Sequence, residues 1–224
     1  MKVAAIIPAY NEEKSIGPVV MAAKDNNLID EVIVVDDGSS DTTSDIAQES
    51  GGKIVRTEKN QGKGRALDKG VQSTDADILL FLDADLIGLT PKHLTMLLEP
   101  VMRGEVKMTV GAIDRKMFGT FLNEWFRKTE SPFSGMRVIE RSFWEEIPKR
   151  YKKKFYVESA ITYLAKRNKM RTQPFVLEGV RHIVKESKMG IWKGSKARWR
   201  MNGQIILINI ALRVRLNAAI KHYS

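Results

Sequence analysis

The chain carries, at residues 78–85, the segment Ile78-Leu79-Leu80-Phe81-Leu82-Asp83-Ala84-Asp85. Its apolar part has the pattern of a strand that is buried on both faces of a parallel sheet. In an extended backbone, residues two apart point to the same side, so we expect Asp83 and Asp85 to converge at the carboxyl end of this strand. Open α/β sheets bind their ligands at that edge. Paired carboxylates there suit Mg²⁺ or Mn²⁺, and the alternative is an Asp-rich turn in water.

Apolar strands and amphipathic helices alternate through the first 90 residues. Strands are predicted at 3–8, 31–35, 53–56 and 78–82, and helices at 16–23, 42–50 and 65–72. This order predicts an α/β fold with parallel strands and right-handed crossovers. Beyond Asp85 we predict helices at 90–102, 118–128, 142–147 and 155–167, and strands at 108–112, 136–139 and 170–176.

The length and composition are those of an ordinary globular protein, and the sequence contains no cysteine. The chain has 224 residues, of which 43% are hydrophobic and 29% are charged, enough for one large domain or a domain with a small appendage. The absence of cysteine excludes disulfides, zinc–thiolate sites and a cysteine nucleophile. The apolar run at residues 3–8 is too short for a signal peptide, so we expect a cytoplasmic protein.

The formal net charge is +10, which favours an anionic partner. A phosphorylated substrate and an acidic membrane surface both fit this charge. The sequence contains no zinc-finger spacing, RNA-recognition signature or basic heptad, so we do not expect nucleic acid to be the partner.

Polar loops follow several of the predicted strands. They are Pro8-Ala9-Tyr10-Asn11-Glu12, Asp36-Asp37-Gly38-Ser39-Ser40-Asp41, Gly62-Lys63-Gly64 and Asp83-Ala84-Asp85. The glycine-rich loop fits neither the phosphate-binding nor the dinucleotide fingerprint. Loops at the carboxyl ends of neighbouring strands indicate one shared cleft.

In this order, the four loops resemble glycosyltransferase family 2. The resemblance implies the GT-A fold, a Rossmann-like, mixed and mostly parallel sheet flanked by helices, and a nucleoside-diphosphate-sugar donor, UDP- or GDP-linked. The second half resembles the glucosyl-3-phosphoglycerate synthases through blocks at 134–137, 156–158 and 179–182. The first half also resembles polyprenyl-phosphate sugar transferases.

The resemblance implies roles for the donor loops. The base and ribose pocket would be lined by Pro8, Tyr10 and Glu12. Asp37 would accept a hydrogen bond from the base, and Lys63, between two glycines, would approach the diphosphate. The alternatives are a solvated helix start for Glu12 and an exposed loop lysine for Lys63.

The resemblance also implies which residues bind the metal and act on the acceptor. Asp85 would bind Mg²⁺ or Mn²⁺ directly, with His182 as a further ligand and Asp83 holding the ribose or a metal-bound water. Glu158 would be a general base or position the acceptor. The alternative for Glu158 is an acidic residue that the helix dipole favours at a helix start.

The acceptor would be anionic. The loop that resembles an acceptor site is Ser134-Gly135-Met136-Arg137. Small residues leave room there, and the guanidinium of Arg137 could bind a phosphate or carboxylate with two hydrogen bonds.

The expected organisation is a GT-A domain at 1–200 and an amphipathic helix at 201–224. The domain would comprise a nucleotide-sugar half, 1–90, and an acceptor half, 91–200. The apolar stripe within 204–223 either packs on the domain or in a homodimer interface, or lies on an anionic membrane at its inner face.

The sequence therefore predicts a metal-dependent transferase that moves a hexose to an anionic acceptor, either phosphoglycerate-like or a polyprenyl phosphate. Two alternatives are a nucleotidyltransferase of the same fold and a non-catalytic nucleotide-sugar binder.

Overall fold

Apolar strands form the centre of a sheet in the structure, a computed structural model that describes residues 1–113, 134–153 and 156–183. The apolar runs that predict strands do form them. The strands are β1 Val3–Ala9, β2 Glu31–Asp36, β3 Lys53–Arg56, β4 Ile78–Phe81, β5 Leu86–Ile87, β6 Met108–Ile113, β7 Met136–Glu140, β8 Thr172–Leu177 and β9 Arg181–His182.

Helices connect most of these strands. They are α1 Ile16–Lys24, α2 Thr43–Glu49, α3 Lys63–Gln72, α4 Pro91–Met102, α5 Arg141–Glu146 and α6 Tyr156–Arg167, with a 3-10 turn at Lys149–Tyr151. The predicted start of α4 is confirmed. Thr90 forms a reciprocal capping box with His93, and Pro91 occupies the first turn, where its missing N–H costs nothing.

Seven strands form one sheet in the order β3-β2-β1-β4-β7-β6-β8. The strands of the first half pair in parallel, as predicted. β7 runs antiparallel to both of its neighbours, β4 and β6, and β8 is again parallel to β6. A separate antiparallel ribbon joins β5 to β9. The described residues therefore confirm the expected α/β fold with a mixed, mostly parallel sheet.

The sheet is buried on both faces. Along β1, Val3, Ala5 and Ile7 pack in one apolar cluster with α1 and α4. The intervening Ala4 and Ile6 pack in a second cluster with α3, α5 and α6. This alternation follows from the two-residue period of a strand, and it confirms the interpretation of the continuous apolar runs.

Several details differ from the expectations or fall outside the described residues. β4 ends at Phe81 rather than Leu82, and α3 begins at Lys63 rather than Arg65, so Lys63 is a helix residue and not a loop residue. The predicted helix at 118–128 and the tail at 201–224 lie outside the described residues, and the domain bounds stay a prediction. None of the helices described is long and apolar enough to cross a membrane.

Gly70 tests the packing of α3 on the sheet. A Cβ at this position would overlap Cγ2 of Ile6 and lie 3.0 Å from Cγ2 of Val35. Both side chains are fully buried in strands of the sheet. We expect Gly70→Ala to lower the free energy of unfolding by about 1–3 kcal/mol, measured by urea denaturation. In the matched helical control Gly17→Ala, the nearest atoms are side-chain atoms at 3.2 and 3.3 Å. There the helix propensity of alanine offsets the crowding, so a loss as large as that of Gly70→Ala would contradict this account.

Candidate active site

The carboxyl ends of β1, β2 and β4 lie side by side, because β1 pairs in parallel with both of the others. The backbone N–H of Asp37 donates to Ala9 O at 2.8 Å, and that of Leu82 donates to Ile6 O at 3.1 Å. The polar loops that follow these strands therefore share one edge of the sheet, as the sequence predicts.

Asp83, Asp85 and His182 converge at this edge. One ligand atom from each lies within 4.8 Å of the other two. The Nδ1 atom of His182 is 2.9 Å from Asp85 Oδ1, and its Nε2 atom is 4.0 Å from Asp83 Oδ2. The expected reason for the convergence is wrong, because Asp83 and Asp85 lie in a coil and a turn beyond the end of β4 rather than in an extended strand.

The β5–β9 ribbon brings His182 to the two carboxylates. Leu86 is paired with His182, so the imidazole follows directly beside Asp85. Gly88 and Gly179 lie close together just beyond the paired residues of the ribbon, and a Cβ on Gly88 would lie 2.5 Å from Gly179 O. Gly88 also has a φ of +78°, which side chains rarely adopt. This close approach needs glycine at position 88, next to the ribbon that places His182 beside Asp85.

The protonation of His182 depends on its acidic neighbours. Burial by itself lowers the pKa of His182, but the hydrogen bond to Asp85 and the charges of Asp83 and Asp85 outweigh it. As a result the pKa of His182 is raised, although the charge of Lys63 opposes the rise. The same carboxylates that would bind a cation thus favour the protonated form of the imidazole.

The ligand atoms of Asp83, Asp85 and His182 suit a divalent cation. Two carboxylates and an imidazole are intermediate in exposure, so a cation can reach them. Carboxylate oxygens suit Mg²⁺, and an added imidazole also suits Mn²⁺. As metal ligands these residues stay a prediction, now with a geometry that permits it.

Lys63 lies between two carboxylates. Its ammonium forms an ion pair with Asp83 and a second one with Glu158, whose Oε1 is 2.5 Å away. Burial by itself lowers the pKa of Lys63, but the charges and hydrogen bonds of both acids outweigh it and raise the pKa well above its ordinary value. Lys63 is therefore a permanent cation. The resemblance implies a diphosphate near Lys63, which stays a prediction, but the sequence does not reveal the link of Lys63 to Glu158, 95 residues away.

Gly135 lies directly against this ion pair. A Cβ there would overlap both the Asp83 carboxylate and the Lys63 ammonium. Ser134 precedes it, and its hydroxyl donates to Gly111 O. The structure thus brings Ser134 and Gly135 to the candidate site, and their acceptor role stays a prediction.

Met136 and Arg137 do not lie on the surface of this site. Both are in β7 and are 1% exposed. Met136 packs in the core beside α4, and Arg137 Nε donates to Ser134 O at 3.0 Å. The expected bidentate contact of Arg137 with an acceptor is not available in this arrangement, because the guanidinium is buried beneath the loop that it supports.

Two adjacent acids, Asp36 at the end of β2 and Asp37 directly after it, have different roles. Asp37 is 3% exposed, and its carboxylate accepts from the backbone N–H of Gly62 at 2.7 Å and of Gln61 at 2.9 Å. It also accepts from Thr57 Oγ1 at 3.2 Å. Asp37 therefore fixes the approach to Lys63, a role that the sequence does not reveal. A contact with a base stays a prediction.

Asp36 stabilises the turn after β2 from inside the fold. Its carboxylate is fully buried and accepts from Ser39 N at 2.8 Å and from the Ser44 hydroxyl. Burial by itself raises the pKa of Asp36, but these hydrogen bonds, with Arg56 nearby, outweigh it and lower the pKa. The carboxylate is thus held ionised inside the fold.

The loop after β1 leaves Tyr10 accessible. Its side chain is 47% exposed, whereas Pro8 and Glu12 are half-buried. Glu12 Oε2 accepts from Ser15 Oγ at 2.8 Å at the start of α1. Tyr10 is free to stack on a base, and the nucleotide roles of all three residues stay predictions.

The metal prediction can be tested without any substrate. We expect Asp85→Asn and His182→Gln each to lower the affinity for Mn²⁺ by about tenfold or more, because each removes a ligand atom. The free Mn²⁺ signal in electron paramagnetic resonance measures this. Asp45→Asn, on the exposed side of α2, is the matched control. Wild-type affinity in the Asp85→Asn variant would contradict the assignment.

Asp36 makes an acid-dependent contribution to stability. Its pKa is lower in the folded chain than in the unfolded one, so the contribution is complete above about pH 4 and is lost as the pH falls through the folded pKa. We expect Asp36→Asn to lower the free energy of unfolding by about 1–3 kcal/mol at pH 7 and by less at pH 3. Urea unfolding at both pH values measures this, and an equal loss at both would argue against it.

Comparison with known proteins agrees with this geometry. Residues 4–176 match the model of the family "Glycosyl transferase family 2". The glucosyl-3-phosphoglycerate synthase of Mycolicibacterium smegmatis is 38% identical over 109 residues, which cover 45% of this chain and 36% of that protein. The undecaprenyl-phosphate 4-deoxy-4-formamido-L-arabinose transferase of Aeromonas hydrophila is 34% identical over 139 residues, covering 58% of this chain and 40% of that one. The matches thus span well under half the length of these curated relatives.

Solved structures of the glucosyl-3-phosphoglycerate synthase of Mycobacterium tuberculosis share the fold. The complex with Mg²⁺ and uridine diphosphate has a TM-score of 0.69 at 26% identity, over 81% of this chain and 71% of that one. The complex with Mn²⁺, uridine diphosphate and glucosyl-3-phosphoglycerate has a TM-score of 0.69 at 25% identity, over 81% and 72%. The family match covers most of the residues that carry the loops and the sheet, and the chain belongs to glycosyl transferase family 2.

Proposed function

We propose that the protein is a metal-dependent glycosyltransferase that moves a hexose from a nucleoside-diphosphate sugar to an anionic acceptor. The observation that carries this proposal is the convergence of Asp83, Asp85 and His182 directly beside Lys63. A transferred sugar leaves a diphosphate, whose growing negative charge needs cations at the site. This edge of the sheet offers both a site for a divalent cation and a permanent ammonium.

The donor would be a uridine-diphosphate sugar. Uridine diphosphate occupies the solved relative from M. tuberculosis, which supports uridine over guanosine here. Tyr10 would stack on the base, Glu12 would accept from ribose hydroxyls, and Asp37 would accept from a base N–H. Because Asp37 also holds Gln61 and Gly62, base binding and the placement of Lys63 would be linked.

Lys63 would change partners when the donor binds. In the structure it forms ion pairs with both Asp83 and Glu158. A bound diphosphate would compete for the same ammonium, which would then stabilise the leaving group as the bond to the anomeric carbon breaks. A divalent cation held by Asp85 and His182, with Asp83 beside it, would supply further positive charge to the departing diphosphate.

Glu158 would face the acceptor once Lys63 turns to the diphosphate. Its carboxylate could then orient the acceptor hydroxyl or take its proton. Ser134 and Gly135 lie on the same side, and the missing Cβ of Gly135 leaves space beside Asp83. We therefore infer that the acceptor enters over Gly135.

The acceptor would be a small phosphorylated acid such as 3-phosphoglycerate. The glucosyl-3-phosphoglycerate synthases support this choice. A polyprenyl phosphate is the second candidate, and the similarity to the A. hydrophila transferase favours it. A nucleotidyltransferase is disfavoured, because Pro8-Ala9-Tyr10-Asn11-Glu12 stands where such enzymes usually carry a basic, glycine-rich loop.

A peripheral contact with the inner face of the membrane through residues 204–224 is a proposal that accompanies the second acceptor. Packing of these residues on the domain or in a homodimer interface is the alternative proposal. Co-sedimentation with anionic liposomes, with and without residues 204–224, separates the acceptors. Binding that needs the tail supports the polyprenyl phosphate, and no binding contradicts contact through the tail.

The proposal is tested by transfer from UDP-glucose or GDP-glucose to 3-phosphoglycerate or a polyprenyl phosphate, with and without Mn²⁺. We expect turnover with UDP-glucose that requires the cation. Lys63→Met should lower kcat/KM by about 10²-fold, because it removes a preorganised charge from the leaving group. Lys59→Met, an exposed lysine nearby, is the control. Equal kcat/KM for Lys63→Met and wild type, or turnover independent of the cation, would overturn the mechanism.

A further inference from the structure

A buried lysine lies outside the candidate site. Lys152 is 9% exposed, and its Nζ lies 4.7 Å above the centre of the Trp144 ring and 3.4 Å from Asp68 Oδ1. Trp144 Nε1 donates to the same Asp68 oxygen at 3.3 Å. A lysine is seldom buried unless it is paired, so these contacts are what keeps it there. We call Asp68, Trp144 and Lys152 the support cluster.

The support cluster joins the elements that carry Lys63, Asp83 and Glu158. Asp68 lies in α3, which begins at Lys63. The Trp144 ring lies 5.0 Å from the ring of Phe81, the last residue of β4 and two residues before Asp83. Lys152 precedes α6, whose first turn carries Glu158. The support cluster thus connects α3, β4 and α6, and these elements also carry or precede Lys63, Asp83 and Glu158.

A close backbone contact between Gly64 and Lys153 connects the support cluster to the candidate site. A Cβ on Gly64 would lie 2.6 Å from the backbone nitrogen of Lys153, so the chain after Lys152 is pressed against the residue that follows Lys63. The carbonyl oxygen of Lys153 in turn accepts from the N–H of Tyr156, the first residue of α6, at 3.0 Å. Only glycine at 64 allows this approach.

We propose that Lys152 is a positioning residue for the transfer reaction. By pairing with Asp68 over the Trp144 ring, it holds segment 152–153 against α3 and thereby sets the distance between Lys63 and Glu158. The inference rests on the proposed function, in which Lys63 and Glu158 serve the donor and the acceptor. Lys152 itself lies apart from the ion pairs of the site and acts through these two residues.

Replacing Lys152 by methionine separates charge from packing. Methionine keeps a long apolar stem against Trp144 but removes the ion pair and the cation over the ring. Asp68 stays partly exposed and keeps Gln72 and Trp144 as donors, so the fold is retained. Lys152→Arg restores a cation in the same place. Lys149→Met, an exposed lysine of the preceding 3-10 turn, is the matched control.

Hydrogen exchange tests the link without any substrate. In Lys152→Met we expect amide exchange to rise about tenfold in the segments 63–67 and 156–162, with the rest of the chain unchanged. Lys152→Arg should return both segments towards wild type, and Lys149→Met should leave them unaffected. Unchanged exchange in Lys152→Met would overturn the proposal, and so would a uniform rise over the whole chain, which indicates a general loss of stability.

Kinetics tests the consequence for the reaction. We expect Lys152→Met to lower kcat about tenfold or more and to leave KM for the donor within about threefold, because small misplacements mainly affect the transition state. Lys152→Arg should recover most of kcat. A kcat for Lys152→Met equal to that of Lys149→Met would contradict the proposal. If the wild-type protein transfers no hexose, the proposed function fails, and the exchange experiment alone decides the role of Lys152.

Discussion

Repulsion among carboxylates at the end of β4 is the constraint on which the site depends. Asp83 and Asp85 follow a fully buried strand, and Glu158 approaches from α6. The ammonium of Lys63 offsets part of this negative charge, and Nδ1 of His182 lies 2.9 Å from Asp85 Oδ1. Because the acids and their partners come from separate elements of the chain, these contacts form only when the sheet, α3, α6 and β9 are all in place. The fold therefore brings together groups that would otherwise separate.

Buried carboxylates are also stabilised by partners at the end of β2, where they order the backbone. Asp36 and Asp37 are adjacent and both buried, yet each carboxylate is surrounded by donors of its own. Asp36 closes the turn towards α2, and Asp37 holds the amides at 61 and 62. In both places a carboxylate costs little to bury because hydrogen bonds replace its water. The segments around Ser39 and Gly62 are thus ordered by the hydrogen bonds that these two carboxylates accept.

The sequence predicts the strands and the order of the first half well, because runs buried on both faces and alternating helices leave few arrangements. It also predicts α4, since Thr90 and Pro91 mark its start. It does not reveal the direction of β7, because direction is decided by partners far along the chain. Arg137 misleads for a related reason: a charged residue after Ser134 and Gly135 suggests a surface loop, but the strand buries it. The pairing of Lys63 with Glu158 links residues 95 apart, which no local pattern records.

The β5–β9 ribbon has a consequence for how the protein matures. Asp85 and His182 are separated by 97 residues, and the β5–β9 ribbon that joins them ends where Gly88 and Gly179 lie close together. Contacts between distant residues carry a loop-closure cost and form slowly. A chain that has emerged only as far as β8 would hold both carboxylates but not the imidazole. The complete set of candidate cation ligands thus arises only when β9 of the second half has paired with β5 of the first.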